Sequence, residues 1–86
     1  MLQKGLRMKN ESLKEKVKQI IAQKAGLDPK EILDDMFFGD DLNLGDLELT
    51  EILEELEEQL KVELIENQPE IESVKDLLEL LEEKIE

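Results

Sequence analysis

Cysteine and histidine are both absent from this 86-residue chain, as are tryptophan and tyrosine. Without cysteine there can be no disulfide and no thiolate site, and without either residue the usual zinc ligands are missing. We therefore predict no metal site. Phe37 and Phe38 are the only aromatic residues, so the chain has almost nothing to stack on nucleic-acid bases or sugars. Their adjacency indicates a local plug in a hydrophobic core.

Long apolar runs are also absent. No stretch approaches the roughly 18 apolar residues of a membrane span, and residues 1–10 lack the apolar block of a secretory signal. We therefore expect no membrane span, no processing and a cytoplasmic location. Residues 1–10 have little pattern and are expected to form a disordered lead. Residues 11–86 are then expected to form one small domain with a single modest core.

Positive charge is scarce. The chain has 11 Lys or Arg residues against 24 Asp or Glu residues, and its formal net charge is -13. This charge argues against binding to nucleic acid or to an anionic membrane. It is also uneven, because residues 1–30 have a net charge of +5 and residues 31–86 a net charge of -18. The expected partners are therefore proteins that present basic surfaces.

Three segments place apolar residues at the spacing of a helix. They predict helices over residues 12–25, with Gly26 ending the first one, over residues 46–60, and from Val74 to the end of the chain. The predicted core residues are Leu13, Val17, Ile20 and Ile21 in the first helix, Leu49, Ile52, Leu53, Leu56 and Leu60 in the second, and Val74, Leu77, Leu78, Leu81 and Ile85 in the third.

The connections between these helices differ in character. Asp28 and Glu31, on either side of Pro29, predict a capped helical turn that ends near Asp34. Residues 35–45 lose the periodicity but remain partly apolar, which predicts an ordered loop that packs against the core. A further turn is expected at residues 70–72. Together these elements predict an all-α four-helix bundle, with three main helices, one short helix and a long loop between the first two main helices.

Several segments in register resemble the acyl carrier protein family. Residues 15–21 are similar to its first helix, and residues 26–32 to the turn that follows. The sequence Phe38-Gly39-Asp40-Asp41-Leu42 resembles the signature before the family's attachment site, residues 51–64 resemble its acidic recognition helix, and residues 73–77 resemble the start of its last helix. The resemblance covers about residues 12–84. It implies the four-helix fold predicted above and a role in acyl metabolism, such as fatty acid biosynthesis.

The resemblance breaks at the position where the family attaches 4'-phosphopantetheine to a serine. The family triplet is Asp-Ser-Leu, whereas this chain reads Gly45-Asp46-Leu47, and shifting the alignment by one residue still supplies no serine. A carboxylate that attacked coenzyme A there would form an acyl phosphate, which water cleaves readily. We therefore expect no cofactor on this chain, although the family carries one. Thr50 lies one helical turn further on and is expected to be an ordinary surface residue.

The residues around Asp46 allow two interpretations of that side chain. As the first polar residue of the second helix, it is expected to be an N-cap whose carboxylate accepts backbone N–H groups. The resemblance adds the hypothesis that Asp46 places permanent negative charge where the family's arm has its phosphate. By the same resemblance, the helix that follows binds Arg and Lys patches on enzymes of acyl metabolism. The predicted partner-binding residues are Glu48, Glu51, Glu54, Glu55 and Glu58.

These observations favour a monomeric protein that docks on such enzymes but lacks the serine for attachment. We predict that it is not an enzyme, because the acidic surface of a small bundle is rarely desolvated enough to shift a carboxylate pKa. An EF-hand beginning at Asp41 fails because Asp46 and Ile52 stand where glycine and glutamate are needed. Two alternatives remain open. One is a genuine carrier with an altered or unusual attachment site, and the other is an oligomeric scaffold formed by the second and last helices. Leu44, Leu47 and Leu80 have the least obvious core role, and they are candidates either for the lining of a remnant acyl pocket or for a dimer contact.

Overall fold

Three α-helices and two short 3-10 segments form the part of the chain that this computed structural model describes, residues 9–85. Within those residues no strand forms, and the only β-type pairing is an isolated antiparallel bridge between Phe37 and Ser73. The predicted all-α class and its long loop are therefore confirmed. The helices are α1 (Lys9–Ala25), α2 (Asp46–Leu60) and α3 (Val74–Ile85), and the 3-10 segments are Pro29–Glu31 and Ile65–Glu70.

The boundary between the predicted lead and the domain remains a prediction. Residues 1–8 lie outside the described residues, whereas Lys9 and Asn10 belong to α1. Because α1 begins at Lys9, Ser12 lies inside the helix instead of at its start.

The apolar stripes predicted from the sequence form the core. α1 packs against both α2 and α3, so the three stripes cover one another. Of the predicted core residues whose side chains the structure describes, all are buried except Leu60, which is half-buried at the end of α2. The side chain of Ile85 lies outside the described part of the chain. Val17, Ile52, Leu53, Leu56 and Leu77 have no exposed surface. Burying each such side chain contributes about 1.5–3 kcal/mol.

The end of α1 and the following turn behave as predicted. Gly26 adopts a left-handed conformation with a φ of 73°, and the N–H groups of Gly26 and Leu27 both donate to the carbonyl of Ala22. This arrangement ends the helix. In the next turn Asp28 Oδ1 accepts the N–H of Lys30 at 3.3 Å, while Glu31 Oε1 accepts the N–H of Asp28 at 3.3 Å. The turn ends at Glu31, earlier than predicted.

The long loop is ordered because it contributes both to the core and to a backbone pairing. Phe38 is buried, as are Leu42 and Leu44. Phe37 is 44% exposed, so the prediction that both aromatics form the plug is wrong for this residue. The backbone bridge to Ser73 explains the difference, since extended neighbouring residues point their side chains in opposite directions.

Asp34 joins the loop to two helices. Its carbonyl accepts the N–H of Lys75, next to the start of α3, at 2.8 Å. Its carboxylate lies 3.1 Å from Lys14 Nζ and 2.9 Å from Lys18 Nζ, both on α1. The hydrogen bonds from Lys18 and Lys14 lower the pKa of Asp34 below its ordinary value. One residue therefore connects α1, the loop and α3.

The segment between α2 and α3 differs from the prediction. A 3-10 helix occupies Ile65–Glu70, which is earlier and longer than the predicted turn at residues 70–72. α3 then begins with reciprocal capping, because Ser73 Oγ accepts the N–H of Asp76 at 3.2 Å and Asp76 Oδ2 accepts the N–H of Ser73 at 3.2 Å. In the described part of the chain, none of the helices is both long and apolar enough to span a membrane.

The Asp34 contacts predict a specific dependence of stability on pH. Because the folded-state pKa lies below the ordinary value of 3.8, this stabilisation is present above 3.8 and is lost as the pH falls through the lowered pKa. Asp34→Asn should therefore weaken the fall in the free energy of unfolding between about pH 5 and pH 3. Urea titrations across this range measure the effect.

Asp35→Asn is the matched control, because Asp35 is exposed and forms no ion pair within residues 9–85. This variant should keep the pH dependence of the parent. If the two substitutions flatten the pH profile equally, the role assigned to Asp34 is wrong.

Candidate functional site

The entrance of α2 has Gly45, not Asp46, at the N-cap position. Gly45 is extended, with a φ of -88° and a ψ of -176°, and Asp46 is the first helical residue. The Gly45 N–H donates to Glu48 Oε1 at 3.0 Å. A Cβ on Gly45 would lie 3.1 Å from that same oxygen. Glycine at position 45 therefore leaves room for the Glu48 carboxylate to fold back over the helix start.

The prediction that Asp46 caps α2 is therefore wrong. Among the hydrogen bonds between described residues, the Asp46 carboxylate accepts none, and the side chain is exposed. The N-cap is Gly45, which has no side chain to cap the helix. The carboxylate at the helix start is instead that of Glu48, which accepts the Gly45 N–H. Asp46 remains at the positive end of the helix dipole, where a negative charge is favourable.

Leu47 projects from the α2 entrance and is 67% exposed, more than the other large exposed apolar residues of the described chain. Leu44 and Leu80, the two other residues of the oligomer alternative, contribute to the core instead. Leu44 is buried, and Leu80 is half-buried against the core. Leu47 is thus the only one of the three that offers an apolar contact to another molecule.

Two adjoining clefts lie beside Asp46. The first, the loop cleft, has a volume of about 360 Å³ and lies between α2 and the long loop. The second, the 3-10 cleft, has a volume of about 530 Å³ and lies between α2 and the 3-10 helix Ile65–Glu70. Both contain apolar surface from Leu49 and Ile71, and both have the carboxylates of Asp46 and Glu72 in their lining.

The five predicted partner-binding glutamates occur on α2 but are not equally available. Glu51, Glu54 and Glu58 are exposed, whereas Glu48 and Glu55 are half-buried. Glu48 is engaged with Gly45 as described above, and Glu55 Oε2 accepts an N–H of Gln59 at 3.2 Å.

Glu51 is exposed but already bound to α1, because Lys24 Nζ donates to its Oε1 at 2.7 Å. This hydrogen bond raises the pKa of Lys24, and the charges of Glu55 and Glu48 act in the same direction. Glu54 and Glu58 take part in no ion pair within the described part of the chain. They are the two members of the predicted set whose charge faces solvent without an internal partner.

Glu57 has a structural role that the sequence does not reveal. Its Oε2 accepts the N–H of Leu64 at 2.5 Å and the N–H of Ile65 at 2.9 Å. Near it, Lys61 ends α2 in a left-handed conformation with a φ of 60° and donates to the carbonyl of Glu57. Glu57 therefore anchors the chain as it leaves α2 and enters the second 3-10 helix. Within the run of glutamates on α2, no spacing distinguishes this residue from its neighbours.

Comparison with known proteins identifies relatives over most of the chain. The family model for the phosphopantetheine attachment site matches residues 15–81. The chain is 39% identical to the acyl carrier protein of Solidesulfovibrio magneticus over 74 residues, which cover 85% of this chain and 95% of the relative. It is 32% identical to the acyl carrier protein of Thermosynechococcus vestitus over 79 residues, which cover 91% of this chain and 98% of the relative.

The expectation that no cofactor is involved is wrong. The family model that matches residues 15–81 is that of a phosphopantetheine attachment site, so phosphopantetheine is the prosthetic group that this similarity implies. The expectation rested on one position, Asp46, where no serine is present. The family match, in contrast, extends over residues 15–81.

The residues at the α2 entrance do not, however, fit conventional attachment through a hydroxyl. Gly45, Asp46 and Leu47 have no hydroxyl group, and the only hydroxyl residues of the whole chain are Ser12, Thr50 and Ser73. Thr50 Oγ1 lies 2.8 Å from the Asp46 carbonyl oxygen and 2.9 Å from Gln68 Oε1. Ser73 caps α3. No transfer step is therefore assigned to these residues.

The role of Glu57 predicts a large difference between two adjacent glutamates. Glu57→Ala should lower the free energy of unfolding by about 1.5–3 kcal/mol, because two backbone N–H groups lose a charged acceptor. Glu58→Ala removes the same charge from an exposed neighbour and should change this energy by less than about 0.5 kcal/mol. Chemical denaturation of both variants measures the difference. Equal effects would show that the Glu57 hydrogen bonds contribute nothing specific.

Proposed function

Because the chain belongs to the acyl carrier protein family, we propose that it acts in acyl metabolism by docking on enzymes through the acidic surface of α2. This surface consists of Glu48, Glu51, Glu54, Glu55 and Glu58. The observation that carries the proposal is the concentration of carboxylates on the helix that begins at Asp46. In this proposal the chain is a monomeric, cytoplasmic protein without catalytic activity of its own, and its partners present Arg and Lys residues.

Glu54 and Glu58 contribute most to docking in this proposal, because neither has an internal ion-pair partner among the described residues. A basic partner can bind them without breaking an existing contact, whereas at Glu51 it would compete with Lys24. Each exposed ion pair contributes only about 0.2–1 kcal/mol. Docking therefore needs several pairs together and weakens as salt screens them.

Leu47 adds an apolar contact at the start of the docking surface. Its side chain is 67% exposed next to Asp46 and close in sequence to the acidic residues. An exposed leucine surrounded by charged residues can enter a pocket on a partner and anchor the complex there. The fitting partner surface is therefore an apolar pocket bordered by Arg or Lys residues.

Asp46 occupies the position that corresponds to the family's attachment serine in this proposal. Its carboxylate is exposed and accepts no hydrogen bond from the described residues, so its charge is available to a partner. This supports a role in which Asp46 presents negative charge where the family's arm has its phosphate. The second candidate function is a carrier with an unusual attachment residue, which the match to the attachment-site family favours.

Charge reversal on α2 tests docking. Glu54→Lys combined with Glu58→Lys should weaken binding to an acyl-carrier-dependent synthase by roughly tenfold or more, because at least two ion pairs become repulsive. Calorimetric titrations at low and high ionic strength measure the change. Binding by the parent chain should also fall steeply with added salt.

The matched control reverses two exposed carboxylates on α3, with Glu79→Lys combined with Glu82→Lys. It changes the net charge equally and should reduce binding much less than the α2 variant. Equal losses would mean that total charge alone governs binding, and the assigned surface would be wrong.

Asp46→Ser tests the position of the attachment site. When incubated with coenzyme A and a phosphopantetheinyl transferase, this variant should gain the mass of the arm, because it restores a hydroxyl at the α2 entrance. Intact-mass spectrometry measures the gain, and Asp46→Ala is the control that should remain unmodified. An unmodified Asp46→Ser variant would contradict the proposal that position 46 corresponds to the family's attachment serine. A stable arm on the parent chain would favour the second candidate function.

A further inference from the structure

A closed pair of polar contacts joins α2 to the second 3-10 helix at the edge of the 3-10 cleft. Thr50 Oγ1 lies 2.8 Å from the Asp46 carbonyl oxygen and 2.9 Å from Gln68 Oε1, and Gln68 Nε2 donates to the same Asp46 carbonyl at 3.1 Å. A hydroxyl has one hydrogen, so Thr50 can donate fully to only one acceptor. Donation to Gln68 leaves Gln68 Nε2 to bind the Asp46 carbonyl. Each side chain then has a defined partner.

The 3-10 helix has little else to hold its middle in place. None of the residues from Ile65 to Glu70 is buried, and the buried apolar residues lie just outside it, at Leu64 and Ile71. A segment with few buried apolar contacts opens locally more easily than a helix of the core. Its position over the cleft therefore depends strongly on its polar contacts with α2.

Besides the Asp46 carbonyl, those contacts come from two side chains on one face of α2. Thr50 and Glu57 are seven residues apart, which is about two helical turns. Glu57 binds the N–H groups of Leu64 and Ile65, where the segment begins. Thr50 binds Gln68 near its end, and Gln68 is also part of the lining of the 3-10 cleft. The segment is thus anchored at one end by a charged group and at the other by a neutral pair.

We propose that Thr50 and Gln68 form a latch that closes the 3-10 cleft, and that its release lets the 3-10 helix swing away from α2 about the end held by Glu57. The neutral pair is the weaker anchor, since hydrogen bonds to a charged acceptor are about twice as strong as neutral ones. Opening exposes the apolar surface of Leu49 and Ile71 inside the cleft. It also removes the Gln68 hydrogen bond from the Asp46 carbonyl, at the α2 entrance.

Hydrogen exchange of single amides tests the latch without any partner enzyme, so its outcome is independent of the proposed docking. The Asn67 and Ile71 amides report on the segment, because they donate to the carbonyls of Leu64 and Gln68. The buried Ile21 in α1 reports on global unfolding. Thr50→Val, which keeps the shape but removes the hydroxyl, should speed exchange at Asn67 and Ile71 by roughly threefold to tenfold. Exchange at Ile21 should speed by no more than the same factor, because global unfolding breaks the latch as well.

Two further variants separate a latch from a loss of packing. Thr50→Ser keeps the hydroxyl and should exchange at nearly the parent rate. Gln68→Met should speed exchange at least as much as Thr50→Val, because it also removes the hydrogen bond to the Asp46 carbonyl. The double variant should be no faster than Gln68→Met alone, because Gln68→Met already removes the contact with Thr50. Unchanged exchange at Asn67 and Ile71, additive effects, or a larger acceleration at Ile21 than at these two amides would each overturn the latch.

Uptake of an apolar probe tests whether release opens the cleft. Nile red is uncharged and is therefore not repelled by the acidic surface. Its fluorescence should rise with Thr50→Val relative to both the parent and Thr50→Ser at equal protein concentration. Equal fluorescence of all three proteins would overturn the assignment of the latch to this cleft.

Discussion

α2 has to provide the centre of the core and the most acidic surface of the molecule at the same time. Leu49, Ile52, Leu53 and Leu56 are buried along one face, and each contributes about 1.5–3 kcal/mol. Like charges one turn apart on the other face oppose the helix by only about 0.2–0.5 kcal/mol per pair. Burial therefore outweighs the repulsion, and the helix can carry a high density of carboxylates.

The fold also uses some of those carboxylates internally. Glu48 accepts the free N–H at the helix start, Glu51 binds Lys24 on α1, and Glu57 holds the chain that leaves the helix. Glu54 and Glu58 have no such contacts with the described residues. A helix that looks uniformly acidic in sequence is therefore divided into charges that stabilise the fold and charges that face solvent. The proposed docking surface depends on the second group.

The family match extends over residues 15–81, whereas attachment through a hydroxyl depends on a single side chain. Asp46 is exposed, so exchanging its side chain leaves the packing of Leu49 and Ile52 unchanged. A fold can therefore persist while the chemistry at such a position changes, and the two have to be argued separately. This is why the family match corrects the expectation about the cofactor without supplying a hydroxyl at the α2 entrance.

Features that depend on neighbours within about one helical turn were predictable from the amino-acid sequence. These include the span of α2, the start of α3, the end of α1 at Gly26, the capped turn at Asp28 and most of the core residues on the three helices. The burial of Phe38 but not Phe37, the anchoring of the next segment by Glu57 and the contact of Thr50 with Gln68 became visible only in the folded chain. Helical periodicity makes local contacts readable from spacing, because residues three or four apart share a face. Contacts between a side chain and a distant segment have no such period, since they depend on how the packed helices bring the two parts together.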